Sequence, residues 1–506
     1  MKNIKFKIKS YIDYLTSLTK FTLFKYDLNK INVRKKIKVS NFNKYLIFLI
    51  SALFMYLFYL SIPSLYDIGK LQIKLSQKLE SEYKLNISSS SKILYSILPY
   101  PNILIEDAKL FNNDKDNPLE LGQIKELRIF ISQKNLFSLK NIEIKNIIIN
   151  KANFSIQSKN IDYFNNYIAK KFSKKKLNIK KSNIFLRKNN QDIISIILIK
   201  NLDLFFNENK VENEIKIEGE IFKLPFITKW NKNFVNEKKS QTFFKIKKLL
   251  FNLHNTRNLE NEKYTSLNKI NIRNLKLLSK IEIVDKSIIF KSQDTTNQIK
   301  KLDYTGHVNL DPFELKLNIN LKEIDQKRIA YLNHFFEELL NTGLIFNKNL
   351  NSKISINAKN FKKNKLINSI KLNLNINNGR LNLNNTKLIS DNVGNIILNN
   401  SEFKQEQGEI IFFGNFNFAI DNQSEFYKKF QTSKINRKLL KNIKFSVEYN
   451  MFREELEISS FVINDNKKNK NNSTKQFLEN FNSDKKNKID NWIDLKTFIN
   501  QIMQTT

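Results

Sequence analysis

Phe313-Glu-Leu315-Lys-Leu317-Asn-Ile319-Asn-Leu321-Lys places an apolar side chain at every odd position and a polar one at every even position. A helix would scatter that pattern around its axis, whereas a strand sends it to two opposite faces. The stretch therefore reads as a strand with one greasy and one wet face. The same period recurs on either side of it. It runs through Ile215, Ile217 and Ile221, then Leu372, Leu374 and Ile376. It returns at Ile410, Phe412, Gly414, Phe416, Phe418 and Ile420, and again at Ile443, Phe445, Val447 and Tyr449. Asparagine pairs separate such runs (Asn377-Asn378-Gly379, Asn384-Asn385, Asn399-Asn400) and predict turns, because Asn tolerates left-handed backbone. They stand in for glycine, of which the chain has only 9.

Helical patterns are few. Residues 160–175 and 325–341 read as amphipathic helices, the second with Asp325 as N-cap and Gly343 as stop. Residues 424–440 read as a third, and the chain from 64 to 82 reads as helical. Residues 466–488 read as a polar tether. Beyond them a short amphipathic helix carries Trp492, Ile493, Ile499 and Met503 on or near one face. The body is thus mostly β: a long, curved antiparallel sheet with occasional short helices.

Ahead of that body lies one uncharged run, Tyr45 to Ile62 (YLIFLISALFMYLFYLSI). At about 1.5 Å per residue its eighteen residues make about 27 Å of helix, close to the hydrocarbon thickness of a bilayer. It is too long for the core of a signal peptide and no small-residue cleavage site follows it. Residues 1–44 hold twelve Lys/Arg against two acids, Asp13 and Asp27, while Pro63 to Glu82 hold three lysines. The positive-inside rule then puts the N-terminus in the cytoplasm and the body across the membrane. The leader itself reads either as a basic segment lying on the anionic leaflet or as a solvated tail.

Composition excludes several chemistries. With 506 residues and no cysteine, disulfides, thiolate catalysis and Cys-ligated metals are ruled out. His254, His307 and His334 stand far apart, so no metal or cofactor site is expected. The net charge of +38 resembles a nucleic-acid signal. However, Lys is abundant together with Asn, Ile and Phe, as A/T-rich codons would make it, and no stripe gathers into a phosphate-tracking groove. No nucleic-acid partner is expected. An enzyme would need carboxylate pairs such as Glu337-Glu338 or Glu454-Glu455, and neighbouring strand residues point to opposite faces. No catalytic residue is expected.

One region carries a resemblance. Ser96-Ile-Leu-Pro99-Tyr-Pro101-Asn-Ile-Leu-Ile-Glu-Asp107-Ala is followed by Leu119-Glu-Leu-Gly-Gln-Ile-Lys-Glu-Leu-Arg-Ile-Phe-Ile-Ser132. Then come Leu136-Phe-Ser-Leu-Lys-Asn-Ile-Glu-Ile-Lys145 and Ile147-Ile-Ile-Asn-Lys-Ala-Asn-Phe-Ser-Ile156. This order of elements after a membrane helix resembles the start of the AsmA-like family of bacterial envelope proteins, most closely over residues 45–160. Gly306-His-Val-Asn-Leu-Asp-Pro312-Phe313 and Gly379-Arg-Leu-Asn-Leu look like strand repeats of the same family's body. The chain departs from the family in its scarcity of glycine and its load of lysine. The resemblance implies a taco-like β-groove anchored in the inner membrane and projecting into the periplasm. It implies partners among membrane phospholipids, the inner membrane and outer-membrane or other envelope proteins.

The expected organisation is then a basic cytoplasmic segment (1–44), a transmembrane helix (45–62), an AsmA-like N-terminal β region (63–160), an elongated β-groove body (161–465), and a disordered polar tether with a short C-terminal amphipathic helix (466–506). The expected function is phospholipid binding or transfer along the groove toward the outer membrane, with the anchoring helix at the loading end. The lining candidates are Ile215, Ile217, Ile221, Phe313, Leu315, Leu317, Ile319, Leu321, Leu372, Leu374, Ile376, Ile410, Phe412, Phe416, Phe418, Phe445 and Val447. A rival reading is an assembly factor for outer-membrane proteins that carries no lipid and has a dry, packed interior.

Overall fold

The computed structural model describes residues 41–88, 92–112, 118–157, 160–187, 192–235, 239–260, 263–273, 275–284, 287–293, 302–310, 313–323, 326–361, 366–465, 472–483, 489 and 491–505. The chain forms two compact units, Met1–Ser61 and Ile62–Thr506. Within the first, helix α1 spans Asn41–Ser61. Its apolar side chains are exposed from Phe42 to Phe58, with Phe48 and Met55 among the most open, while Leu60 is buried. Among the described residues it is the one helix long and apolar enough to cross a membrane. The basic leader before it lies outside the described residues.

Among the described residues the second unit is one sheet of twenty-four strands. It opens with helix α2 (Ile68–Tyr83), whose N-cap Asp67 accepts from the Lys70 N–H and whose Leu71, Leu75, Leu79 and Tyr83 are buried. Short strands β1 (Asn86–Ile87) and β2 (Lys92–Ser96) both pair with β3 (Asn102–Phe111). Then follow β4 (Glu120–Ile131), β5 (Ile144–Ile156), helix α3 (Ile161–Ala169), β6 (Leu177–Arg187), β7 (Ile193–Asn207), β8 (Glu212–Ile221), β9 (Leu224–Asn233) and β10 (Lys239–Ile246). The centre comprises β11 (Phe251–Glu260), β12 (Lys263–Ile272), β13 (Leu275–Val284), β14 (Ser287–Ser292), β15 (Leu302–Leu310) and β16 (Phe313–Leu321). Helix α4 (Gln326–Asn341) leads to β17 (Asn351–Lys359), β18 (Ser369–Asn377), β19 (Arg380–Asn382), β20 (Thr386–Ser390), β21 (Gly394–Glu406) and β22 (Glu409–Ile420). Helix α5 (Gln423–Phe430), β23 (Asn442–Asn450), β24 (Glu455–Ile463), α6 (Asn472–Ser483) and α7 (Trp492–Thr505) complete the chain.

Two features correct the expected antiparallel groove. Almost every strand pairs antiparallel with its sequence neighbours, but β5 with β6 and β16 with β17 are parallel. The cause is the two helices: α3 and α4 carry the chain back to the end it started from, so the next strand must run the same way. The sheet is therefore mixed. It also winds as a β-solenoid rather than a taco, each strand bonding only its near neighbours in sequence. At about 4.8 Å per strand its path is roughly 100 Å. A kink crosses its first third, where Asp107, Lys151 and Lys181 adopt left-handed backbone in mid-strand and Ser182 Oγ accepts the Ala152 N–H at 3.0 Å.

Turn chemistry is mostly as the sequence implies. Asn378 and Gly379 both have positive φ and close the β18–β19 hairpin. Asn385 sits at a kink between β19 and β20, both of which pair with β18. Asn399-Asn400 is not a turn: it is a bulge inside β21, where the register shifts before Glu402. Helix α4 ends at the expected Gly343, with φ of +72°, while Asp325 lies outside the described residues. Where the sequence reads as a polar tether, Asn472–Ser483 forms α6; residues 466–471 and 484–488 lie outside the described residues.

Candidate functional site

Cross-strand register places every predicted lining residue on one face of the sheet. Ile217 stands between Leu202 and Thr228, Leu317 between Gly306 and Ile354, and Phe416 between Leu398 and Phe445. The alternation seen in isolated runs is thus one largely apolar inner face. What covers that face differs along the sheet.

At the C-terminal end the helices cover it. Phe418, Ile420, Ile443, Ile458, Phe461 and Ile463 pack with Phe426 and Phe430 of α5, Phe481 of α6, and Phe498, Ile499, Ile502 and Met503 of α7. Phe445 and Val447 pack against this cluster, and Phe445 stacks on Phe416 with ring centroids 5.0 Å apart. Ile493, expected on or near one face with Ile499 and Met503, is exposed where those two are buried.

Helix α4 covers the face in two places at once. Its Leu340 packs with Ile376, Leu381, Leu398 and Ile410, against which Leu372, Leu374, Phe412 and Phe416 also rest. Its Phe335 and Leu339 pack on Leu224, Phe226, Ile246 and Leu249, beside Ile217 and Ile221. Strands more than a hundred residues apart therefore meet on one helix, so the sheet wraps around it. Lys248 pairs with Glu338 at 3.1 Å. Asn347 and Asn349 donate to the carbonyls of Ile194 and Ile193 at 3.0 and 2.8 Å. Glu337 and Glu338 are thus helix residues, and Glu338 serves this contact.

The centre is different. Among the described residues from Phe251 to Leu339, Tyr304 is the single buried apolar or aromatic side chain. Leu253, Ile270, Leu277, Ile281, Phe290, Leu315, Leu317, Ile319 and Leu321 are all half-exposed, although they continue the inner face. Leu315 to Leu321 belong to neither cluster around α4 nor to that of α5–α7. The Phe290 ring fills the space above Gly306, where any Cβ would collide with it. Ile215 is likewise half-exposed, opposite Trp230; the side chain of Phe313 lies outside the described set.

Within this central region sits a feature that sequence reading missed. The inner positions of β10 to β13 turn polar: Ser240 faces Arg257, Arg257 faces Ser266, Asn255 faces Asn268, and Asn268 faces Ser279. Ser266, Asn268 and Ser279 are buried, the last two at 1% exposure. Asn255 Nδ2 donates to Asn268 Oδ1 at 2.8 Å, and Ser279 Oγ donates to the Lys291 carbonyl at 3.2 Å. Tyr304 borders the island and donates to the Leu278 carbonyl at 3.2 Å. Burial holds its phenol above the ordinary range, against the pull of a hydrogen bond with Ser279. The available signal was a lapse in alternation at Asn255, Arg257, Ser266 and Asn268, meaningful only once register sets these residues side by side.

No known family profile and no curated protein matches the chain. Among solved structures, that of the sex pheromone staph-cAM373 precursor aligns over 69% of this chain and 96% of its own. The identity is 10% and the TM-score 0.11, a likeness that carries no argument for fold or function.

Proposed function

We propose that this protein is a membrane-anchored envelope protein that shelters phospholipid acyl chains on the bare centre of its inner face and moves lipid toward the outer membrane. On this reading α1 spans the inner membrane with its N-terminus in the cytoplasm, and the sheet lies in the periplasm. The observation that carries it is the apolar inner face of β11 to β16, whose described side chains are half-exposed where α4 and α5–α7 bury the same face elsewhere. A soluble sheet normally buries such a face against another layer. Exposing an acyl chain to water costs about 0.8 kcal/mol per CH₂, so a 16-carbon chain needs on the order of 12 kcal/mol of shelter. Transfer of this kind needs no catalytic group.

Photo-crosslinking side chains at Leu315, Leu317 and Ile319 test it in cells. Capture of phospholipid is the expected outcome. Capture of neighbouring protein alone at all three positions would sink the lipid reading in favour of an assembly factor with a filled interior.

A further inference from the structure

The polar island on β10 to β13 is costly as it stands. Each buried hydroxyl or amide on an apolar face loses water and must find other partners. Asn268 and Ser279 find them in neighbouring strands, and the island interrupts the very face whose continuity makes the sheet greasy. It is also cationic. Arg257 stands at an inner position facing Ser240 and Ser266, and Lys232, one strand further on, faces Ser240 from the other side and donates to the Ala169 carbonyl at 3.1 Å. On its own strands the island borders apolar inner residues: Leu253 beside Asn255, Ile270 beside Asn268, and Leu277 beside Ser279.

We propose that this island seats the phosphodiester headgroup of a phospholipid whose acyl chains lie along the adjoining apolar strip toward β16. The proposal rests on the lipid reading above and adds the orientation and charge class of the ligand. A guanidinium presents its N–H donors in a planar fork that matches two phosphate oxygens, and the half-exposed Ser240 stands between it and Lys232 on the same face. To a neutral diacylglycerol, whose hydroxyl and ester carbonyls carry no charge, the same atoms offer only the weaker hydrogen bonds of an uncharged acceptor. The site therefore selects a lipid with a phosphate over one without, while the apolar strip accepts the tails of both.

The test uses the full-length protein in mild detergent with two photoactivatable phosphatidylglycerols, one labelled on the headgroup and one on the acyl chain, and a tail-labelled diacylglycerol. Crosslinked peptides are mapped by mass spectrometry. The headgroup label should fall on residues 239–281 and the tail label on residues 302–321. Identical maps for the two labels would overturn the headgroup seat while leaving lipid binding intact. Absence of capture with every probe would overturn the seat and the lipid reading together. In Arg257→Gln, headgroup capture should fall about tenfold, as expected for one charged hydrogen-bond pair, with diacylglycerol capture unchanged. Unaltered headgroup capture in that variant overturns the proposal, and should the variant fail to fold, the maps on the unmodified chain decide.

Discussion

Asn482 of α6 bonds the backbone of Ile458 in β24 twice: the Ile458 N–H donates to Oδ1 at 3.0 Å, and Nδ2 donates to the Ile458 carbonyl at 3.0 Å. The amide side chain thereby imitates one residue of a neighbouring strand. Among the described residues β24 pairs with β23 alone, and an edge strand offers its outward N–H and C=O groups to any passing chain. α6 closes part of that edge.

Asn482→Ala should therefore act at the edge rather than in the core. Two lost hydrogen bonds at about 1 kcal/mol each predict a loss near 2 kcal/mol in urea unfolding. The variant should also self-associate with rising concentration, read by light scattering. A variant that loses stability but stays monodisperse would show that Asn482 only fixes α6 and does not guard the edge.

The packed and bare parts of the inner face should respond differently to truncation. Leu340 is fully buried between α4 and the sheet, so Leu340→Ala should cost about 2–5 kcal/mol through lost burial and a cavity. Leu317 is half-exposed, so Leu317→Ala should cost about 1 kcal/mol or less. Equal losses would mean that the centre is as tightly filled as the ends.

How legible all this was in the sequence depends on how local each signal is. Period-two alternation is a property of one strand, so the strands around Ile319, Phe416 and Phe445 could be read directly. The parallel pairs could not, because they follow from where α3 and α4 deliver the chain rather than from any residue in β6 or β17. Asn400 illustrates a second limit: a left-handed asparagine serves a turn or a bulge equally well, and only pairing on both sides of β21 distinguishes them. Helix α6 was hidden for a third reason. Its polar sequence carries little intrinsic drive, and packing of Phe477 and Phe481 against the end of the sheet stabilises it. The polar island is the least legible of all, since Arg257 and Ser266 are neighbours only across a ladder.

The β8–β9 hairpin has room for improvement. Phe222 and Lys223, its two turn residues, both carry positive φ, of 49° and 61°. Left-handed backbone costs a residue with a Cβ about 1–2 kcal/mol, and Asn-Gly is the pair such a turn favours. Phe222→Asn combined with Lys223→Gly should gain about 1 kcal/mol net, after the extra freedom that Gly gives the unfolded chain. A raised thermal midpoint checks this; a lowered one would mean that the half-buried Phe222 ring contributes more than the turn strain removes.

High pH should loosen the contact between α2 and α3. Tyr167 of α3 donates to the Tyr83 carbonyl at 3.1 Å, Tyr163 donates to the Lys84 carbonyl at 3.4 Å, and Lys175 pairs with Glu82 at 2.9 Å. Burial raises the phenol pKa of Tyr167, and for Tyr83 burial comes first and the Glu82 charge adds to it. Both phenols are thus held neutral in the folded chain more strongly than in the unfolded one. Their contribution to stability is complete below the ordinary phenol value of about 10 and is lost progressively as pH rises from there toward the raised native values. Absorbance titration at alkaline pH should therefore show these two tyrosines ionising later than exposed ones, and together with unfolding of the α2–α3 region by circular dichroism. Tyr167→Phe removes one ionising group and should shift that alkaline unfolding to higher pH, although it forfeits about 1 kcal/mol of hydrogen bonding at neutral pH. An unmoved alkaline transition in the variant would place the pH-sensitive contact elsewhere in the sheet.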